Sequence, residues 1–156
     1  MQKIVPFLRF NNQAEEAMNF YTSVFKGGKV TSIRRVGKAG PGKEGDVLTG
    51  TFEIEGQEFY ALNGGPTFNF TPALSLFVNC DTQEEVDTLR DKLCEGGKPL
   101  QCGWLVDKFG ISRQIVPKAM MQMMSDPDQA KVDRTMKAMM QMIKLDIAKL
   151  QEAYDG

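Results

Sequence analysis

The sequence predicts an α+β fold made of two copies of a β-α-β-β-β module, followed by a helical extension. Two observations support this: an internal repeat, and a helical pattern of apolar residues near the end of the chain. A length of 156 residues suits one compact domain, or two half-size modules that share a core. We place the modules at residues 1–65 and 73–117, forming one domain over 1–117, and the extension at 118–156.

The repeat relates residues 12–29, NQAEEAMNFYTSVFKGGK, to residues 81–98, DTQEEVDTLRDKLCEGGK, at a constant spacing of 69. Each copy predicts an amphipathic helix that begins at an N-cap residue, Asn12 or Asp81, with a glutamate three residues later in capping-box position. The Gly-Gly pair near the end of each copy predicts a left-handed turn after the helix. Any two amphipathic helices share some pattern, but the common cap, stop and spacing favour a duplication.

Strand-like runs flank both helices. One run precedes each helix, at Lys3–Phe10 and Ala73–Asn79. Three runs follow each helix: Lys29–Val36, Val47–Ile54 and Glu58–Leu62 in the first copy, and shorter runs near Lys98–Leu100, Gly103–Val106 and Ile111–Val116 in the second. The last run in each copy follows a turn glycine, Gly56 or Gly110.

The segment after Pro117 has apolar residues at helical spacings of three and four. Ser125 or Asp126 suits the N-cap and Pro127 suits the first turn, so the pattern predicts one long helix towards residue 154. Eight of the ten methionines lie in this part of the chain. Because methionine packs adaptably, this face either covers the protein's own core or contacts a second subunit in a homodimer.

Composition excludes several classes of function. The chain has no histidine, which excludes a Ser-His or Cys-His nucleophilic pair and any His-containing metal site. A net charge of −1 gives no basic excess, so we expect no nucleic-acid partner. No apolar run approaches the roughly 20 residues that cross a bilayer, so no membrane association is expected. Three unclustered cysteines without an export signal indicate reduced thiols in a cytoplasmic protein.

Three stretches of the chain carry a resemblance to known proteins: VPFLRFNNQAEEAMNFYTSVF (5–25), LNGGPTFNFTPALSLFVNCDTQEEVDTL (62–89) and CGWLVDKFGISRQIVP (102–117). With the doubled module, they resemble the vicinal oxygen chelate superfamily, which has the glyoxalase and dioxygenase fold. Within it, the chain is similar to the PhnB-like group, which often carries the name 3-demethylubiquinone-9 3-methyltransferase. The segment RTMKAMMQMIKLDIAKLQEAY (134–154) is similar to the C-terminal extension of that group. The resemblance implies cupped mixed sheets around a small-molecule cavity.

The resemblance also implies four metal-ligand positions, on the first and last strand of each module, which often hold two His and two Glu. Carried over to this chain, those positions are Pro6, Tyr60, Ser75 and Gln114. Proline has no donor atom, and Ser, Tyr and Gln bind a transition metal poorly when no carboxylate or imidazole joins them. We therefore expect no metal and no cofactor, and a small-molecule ligand in the cup.

Three further residues are candidates to line the cup. Asn63 belongs to a glycine-rich turn that either binds an anion or serves as a tight linker. Cys102 is either a thiolate nucleophile or an inert thiol, and Trp104, the only tryptophan, either walls the cavity or packs in the core. Asp107 is expected to cap the turn into the last strand rather than to catalyse.

Two motifs suggest functions that the sequence does not support. Residues 37–44, GKAGPGKE, approach a phosphate-binding P-loop, but Glu44 replaces the required Ser or Thr and a strand follows instead of a helix. A hairpin loop is predicted, whose basic residues form either a mobile lid or a solvated edge. No Gly-x-Gly-x-x-Gly stretch opens a helix, so a Rossmann-type methyltransferase is not supported.

Strand alternation predicts where the remaining charged residues point. Glu53 and Glu55 are expected to face outward, opposite Phe52, so that no pair of carboxylates converges. If Gln114 lines the cup, its neighbour Arg113 points to the outer face.

The sequence therefore favours a metal-free, PhnB-like protein that binds a small molecule and acts as a homodimer, with the methionine-rich tail contributing to the contact. The alternatives are a glyoxalase-like metal-dependent enzyme (a lyase, isomerase or dioxygenase), a methyltransferase by family name only, and a structural or regulatory protein whose cup is filled by side chains. Whether the chain catalyses a reaction stays open at this point.

Overall fold

The computed structural model describes residues 1–156, which form two compact units, Met1–Asn69 and Phe70–Gly156. Each unit contains the order β-α-β-β-β, and three more helices follow in the second unit. The predicted α+β class, the duplication and the helical C-terminal extension are therefore confirmed. None of the helices is long and apolar enough to cross a membrane.

The first unit is a four-stranded mixed sheet with one helix. Its elements are β1 (Phe7–Phe10), α1 (Ala14–Val24), β2 (Lys29–Arg35), β3 (Val47–Ile54) and β4 (Gln57–Asn63). The strand order is β1-β4-β3-β2, with β1 parallel to β4 and the other pairs antiparallel. The first strand begins at Phe7 and not at Lys3 as predicted, because Pro6 has no N–H group to donate to a neighbouring strand.

One face of this sheet packs against α1. Phe52 stacks on Phe59 with ring centroids 5.1 Å apart, and the Tyr21 ring lies 6.1 Å from Phe52. A Cβ at Gly50 would lie 2.4 Å from the Met18 methyl group, so a side chain there would displace the end of the Met18 side chain. We call the opposite face the open face of the first unit. Its residues include Phe7, Arg9, Thr51, Glu53, Glu58 and Tyr60.

The second unit repeats this arrangement. Its elements are β5 (Ser75–Cys80), α2 (Gln83–Cys94), β6 (Lys98–Pro99), β7 (Trp104–Val106) and β8 (Ser112–Pro117). The order is β5-β8-β7-β6, with β5 parallel to β8. Leu105 and Ile115 are fully buried on the face that α2 covers. The open face of the second unit includes Ser75, Phe77, Trp104 and Gln114.

The two repeated helices begin differently from the prediction. Asn12 does not cap α1; the amide oxygen of Asn63, at the end of β4, accepts from the Ala14 N–H at 2.9 Å. In α2 the cap is Thr82 and not Asp81, because the Thr82 hydroxyl accepts from the Glu85 N–H at 3.1 Å. The capping glutamate of α2 is accordingly one residue later than predicted.

The glycine pair after each helix behaves as predicted. The first glycine of each pair adopts a left-handed conformation, with φ 65° at Gly27 and 71° at Gly96. The second is needed for a close backbone approach. A Cβ at Gly28 would lie 2.5 Å from the Thr22 carbonyl oxygen, and one at Gly97 would lie 2.3 Å from the Val106 carbonyl oxygen. Both units therefore turn from helix to strand by the same mechanism.

The prediction of a single long C-terminal helix is wrong. Three helices form instead: α3 (Lys118–Met124), α4 (Gln129–Met140) and α5 (Ile147–Asp155). The break lies at residues 141–146, where backbone carbonyls accept from the 102–103 turn and Asp146 caps α5 through the Lys149 N–H. These hydrogen bonds replace the helical ones that the apolar spacing suggested. The helices pack on β8 through a buried apolar cluster of Val116, Met120, Met123, Leu145 and Leu150.

A buried ion pair organises the last turn of the second unit. Asp107 and Arg113 are 3.2 Å apart, with side chains no more than 3% exposed. Asp107 also accepts from the N–H groups of Phe109 and Ile111, which confirms that it caps this turn. Arg113 does lie on the opposite face from Gln114, as expected, but that face is the buried one and not an outer surface.

Candidate functional site

The centre of the open face of the first unit is aromatic. Phe7 on β1 pairs with Tyr60 on β4, and their rings meet edge to face with centroids 6.1 Å apart. The Phe7 side chain is 57% exposed. Beside it, the Arg9 guanidinium lies 4.9 Å from the centre of the Phe68 ring and donates to the Gly64 carbonyl, which holds the turn after β4 in place.

Two carboxylates lie on this same open face. Glu53 on β3 is directly opposite Glu58 on β4, and Glu53 also forms a 3.6 Å ion pair with Lys29. The charge of Glu58 raises the pKa of Tyr60, helped by partial burial and a side-chain hydrogen bond between the two. Glu53 is thus opposite Phe52 as predicted, and it lies on the face that also carries Tyr60. Glu55 lies in the turn after β3.

The open face of the second unit contains a hydrogen-bonded polar pair beside two aromatic rings. The Gln114 amide donates to the Ser75 hydroxyl at 3.0 Å, so two of the residues proposed to line the cup do meet. Phe77 and Trp104 are the strand neighbours of Gln114 on either side. Phe77 is 43% exposed, and Trp104 is partly buried. Trp104 therefore forms part of a partly accessible surface rather than the interior core.

Strand pairing corrects one of the carried-over positions. Phe7 pairs with Tyr60, and Phe77 pairs with Gln114, so Phe7 and Phe77 are the equivalent residues of the two units. Three residues separate β1 from α1, whereas two separate β5 from α2. The sequence separation between equivalent residues of the two units is therefore one residue larger for the first strands than for the helices. Pro6 is therefore not the counterpart of Ser75. Its carbonyl accepts from the Tyr60 N–H at 2.9 Å, which is a purely structural contact.

The residues present do not fit the metal centre that the superfamily implies. The four carried-over positions supply a proline, two hydroxyls and an amide. Glu53 and Glu58 add two carboxylates near Tyr60, but nowhere in the chain do three or more His, Cys, Asp or Glu side chains gather to hold an ion. We derive no chemical step through a metal.

Two further candidates lie away from the open faces. Asn63 points to the α1 side of its sheet, where it accepts from Ala14 and donates to the Val47 carbonyl at 3.0 Å. Cys102 lies in the turn between β6 and β7 with φ 58°, and its N–H donates to the Met142 carbonyl at 2.8 Å. Neither residue contributes to an open face, because Asn63 has the wrong strand parity and Cys102 lies outside the strands.

The structure also contains a polar pocket that was not predicted from the sequence. It has a volume of about 420 Å³ and lies in the first unit, where β1 and β4 end and α1 begins. Its polar lining includes Asn11, Asn12, Glu15, Arg35, Lys43 and Asp46. The β2–β3 hairpin loop forms one wall, which is the loop that resembled a P-loop. The available sequence signal was this basic loop together with the two asparagines after β1.

Comparison with known proteins agrees with this architecture. The family model described as 3-demethylubiquinone-9 3-methyltransferase matches residues 2–116. The chain belongs to this family. The PhnB protein from Bacillus cereus is 46% identical, with a TM-score of 0.70, and the match covers 74% of this chain and 99% of that chain.

A second solved structure shares this fold, and a third similar protein is reported beside it. Protein PA1353 from Pseudomonas aeruginosa is 20% identical, with a TM-score of 0.63 over 75% of this chain and 98% of that chain. A glyoxylase/bleomycin resistance protein/dioxygenase domain from Frankia is 15% identical, with a TM-score of 0.46 over 72% of this chain and 94% of that chain. No curated protein matches.

The methyltransferase wording is only the name of the family. The two four-stranded sheets are mixed, whereas a Rossmann-type site needs a parallel sheet with helices on both faces. The family model also ends before α3, so the three C-terminal helices lie outside the matched region.

The dual role of Asn63 generates a prediction about stability. Asn63→Ala removes the cap of α1 and leaves two backbone groups without partners, so we expect unfolding free energy to fall by about 1–3 kcal/mol in urea titrations. The matched control is Asn12→Ala, at the exposed position that the sequence favoured as the cap, which should change stability by less than about 0.5 kcal/mol. Equal effects of the two substitutions would contradict this assignment.

Proposed function

We propose that this PhnB-like protein binds a small, largely apolar molecule on the open faces of its sheets, without a metal. The observation that carries the proposal is the pair of equivalent phenylalanines, Phe7 and Phe77, which are 57% and 43% exposed on the first strand of the two open faces. Large apolar side chains gain stability from burial, so their exposure at the same position in both units favours a ligand that covers them.

Polar groups beside each phenylalanine are suited to orient such a ligand. Small-molecule sites are mostly apolar, with a few polar groups that fix orientation. In the first unit the neighbour is the Tyr60 hydroxyl, and in the second it is the hydrogen-bonded pair of Gln114 and Ser75. The two faces therefore present an equivalent phenylalanine but different polar groups beside it.

Trp104 allows binding to the second face to be measured directly. We expect the amphipathic fluorophore 8-anilinonaphthalene-1-sulfonate, whose aromatic rings are apolar, to quench Trp104 emission, since Trp104 and Phe77 both flank Gln114. Phe77→Ala should weaken this binding at least about fivefold, because truncating one buried phenylalanine costs more than about 1 kcal/mol. The control is Met121→Ala, a 46% exposed residue on α3, which should leave the affinity unchanged. Unchanged quenching in Phe77→Ala would refute the proposal for this face.

A metal-dependent, glyoxalase-like enzyme is the second candidate, and the opposed Glu53 and Glu58 beside Tyr60 favour it. The two candidates differ in their response to metals. For the metal-free protein, we expect Mn²⁺, Ni²⁺ and Zn²⁺ to leave the melting midpoint at its value in a chelator, whereas a metal at a hundredfold excess over its Kd would stabilise by about 2.7 kcal/mol. Stabilisation that Glu58→Gln abolishes, and that Glu16→Gln on α1 retains, would establish the enzyme-like alternative.

We also propose that two copies associate through the C-terminal helices. Met136 and Met140 lie one turn apart on α4, and Ile143 follows in the segment after it. They are 39%, 56% and 56% exposed, which favours an apolar contact between subunits.

Sedimentation velocity at micromolar concentration tests this association. We expect a dimer for the wild-type chain and a monomer for Met140→Lys, because a lysine in the centre of an apolar contact must be desolvated. The control Gln122→Lys adds the same charge at an exposed position of α3 and should remain dimeric. A wild-type monomer would remove the proposal.

The cytoplasm is the location that we propose. The supporting observation is that Cys80, Cys94 and Cys102 are all free, since exported proteins usually pair their cysteines. Burial is the main cause that raises the pKa of Cys80 to about 12, so this thiol is a structural group and not a nucleophile.

A further inference from the structure

The polar pocket of the first unit lies at the edge where the parallel strands β1 and β4 end, away from the open face described above. Its wall is held by Arg35, which forms a 2.8 Å ion pair with Glu15 and donates to the Gly45 carbonyl at 3.2 Å. These contacts connect the hairpin loop to α1, so the pocket of about 420 Å³ is bounded by fixed side chains on this side.

The corresponding edge of the second unit binds a segment of the same chain. There, the edge where the parallel strands β5 and β8 end is covered by residues 141–147 of the same chain. The N–H groups of Cys102 and Gly103 donate to the carbonyls of Met142 and Ile143 at 2.8 and 2.9 Å. This edge of the repeated module therefore binds peptide backbone in the second unit.

A side-chain amide holds this segment in the second unit. Gln83, the first residue of α2, donates to the Leu145 carbonyl at 3.0 Å and accepts from the Ile147 N–H at 2.7 Å. A single amide thus pairs with both a donor and an acceptor of the peptide backbone. In the first unit, the side-chain amides of Asn11 and Asn12 line the pocket and make no hydrogen bond to the protein.

The charged side chains around the pocket indicate which charged groups a ligand would carry. Lys43 and Asp46 both line it, and neither forms an ion pair or a side-chain hydrogen bond, whereas Arg35 and Glu15 are engaged with each other. One available cation and one available anion suit a molecule that carries a carboxylate and an ammonium group. The volume lies in the lower part of the range of small-ligand sites, roughly 300–1,000 Å³.

We propose that this pocket binds a short peptide with free ends. The Lys43 ammonium pairs with the ligand carboxylate, the Asp46 carboxylate pairs with the ligand ammonium, and the amides of Asn11 and Asn12 bind the peptide group between them. This site is separate from the apolar binding proposed for the open faces and involves none of the same residues.

Titration of the full chain with the dipeptide Ala-Ala, followed by amide chemical shifts in NMR spectra, tests the proposal. We expect saturable shifts at Gly42 and Gly45, which line the pocket. Lys43→Met and Asp46→Asn should each weaken binding about tenfold, the usual effect of losing one charge-assisted contact. N-acetyl-Ala-Ala-amide lacks both charges. The wild-type chain should therefore bind it no more tightly than either variant binds Ala-Ala.

Matched controls come from the same loop. Lys38→Met and Glu44→Gln remove one charge each at exposed positions that do not line the pocket, so both should bind Ala-Ala like the wild-type chain. The proposal is overturned if Ala-Ala gives no saturable shifts, if the capped peptide binds equally well, or if the controls weaken binding as much as the pocket variants. The Phe7→Ala variant should bind Ala-Ala like the wild-type chain, because Phe7 does not line the pocket. This expectation holds whether or not the open faces bind an apolar molecule.

Discussion

The parallel pairing of the first and last strand in each unit determines where the other features lie. Parallel strands end at the same edge of a sheet, and the helix that follows the first strand must cross one face to rejoin the sheet. β1 with β4, and β5 with β8, therefore divide each sheet into a face covered by a helix and an open face. The same pairing brings the ends of two strands and the start of a helix together at one edge. Open faces and edges are the two kinds of surface available for binding.

Much of the fold follows from short-range sequence signals, and the failures come from contacts between distant residues. The helices and the left-handed turns at Gly27 and Gly96 need only local spacing and a residue without a Cβ. The cap of α1 comes from Asn63, 49 residues along the chain, so no local pattern could identify it. The break in the C-terminal helix depends likewise on carbonyls that bond to a turn about 40 residues earlier in the chain. The spacing of apolar residues carries no information about these long-range hydrogen bonds, which replace the helical ones.

The alternation of side chains along each strand predicts which candidate residues share a face of the sheet, and little else about the site. Ser75, Gln114 and Trp104 share one face, as alternation requires, and Tyr60 lies on the corresponding face of the first unit. Glu53 has the parity that strand alternation predicts, and it lies on the open face because α1 covers the opposite side of its sheet. The predicted equivalence of Pro6 and Ser75 is wrong because equivalent residues of the first strands are separated by one residue more than those of the helices.

The two edges differ in polarity, and this difference explains why one is covered and the other is a pocket. In the second unit the edge ends in Val116 and Pro117, which are buried with the methionines of α3. An apolar edge of this kind loses stability when it is exposed to water, so the chain's own C-terminal segment covers it. The corresponding strand of the first unit ends in Asn63, beside Asn11 and Asn12. Polar groups of this type remain stable in contact with water and can exchange it for a polar ligand. The duplicated fold thus keeps the same backbone at both edges, while the side chains decide whether a segment of the protein covers the edge or a polar pocket remains there.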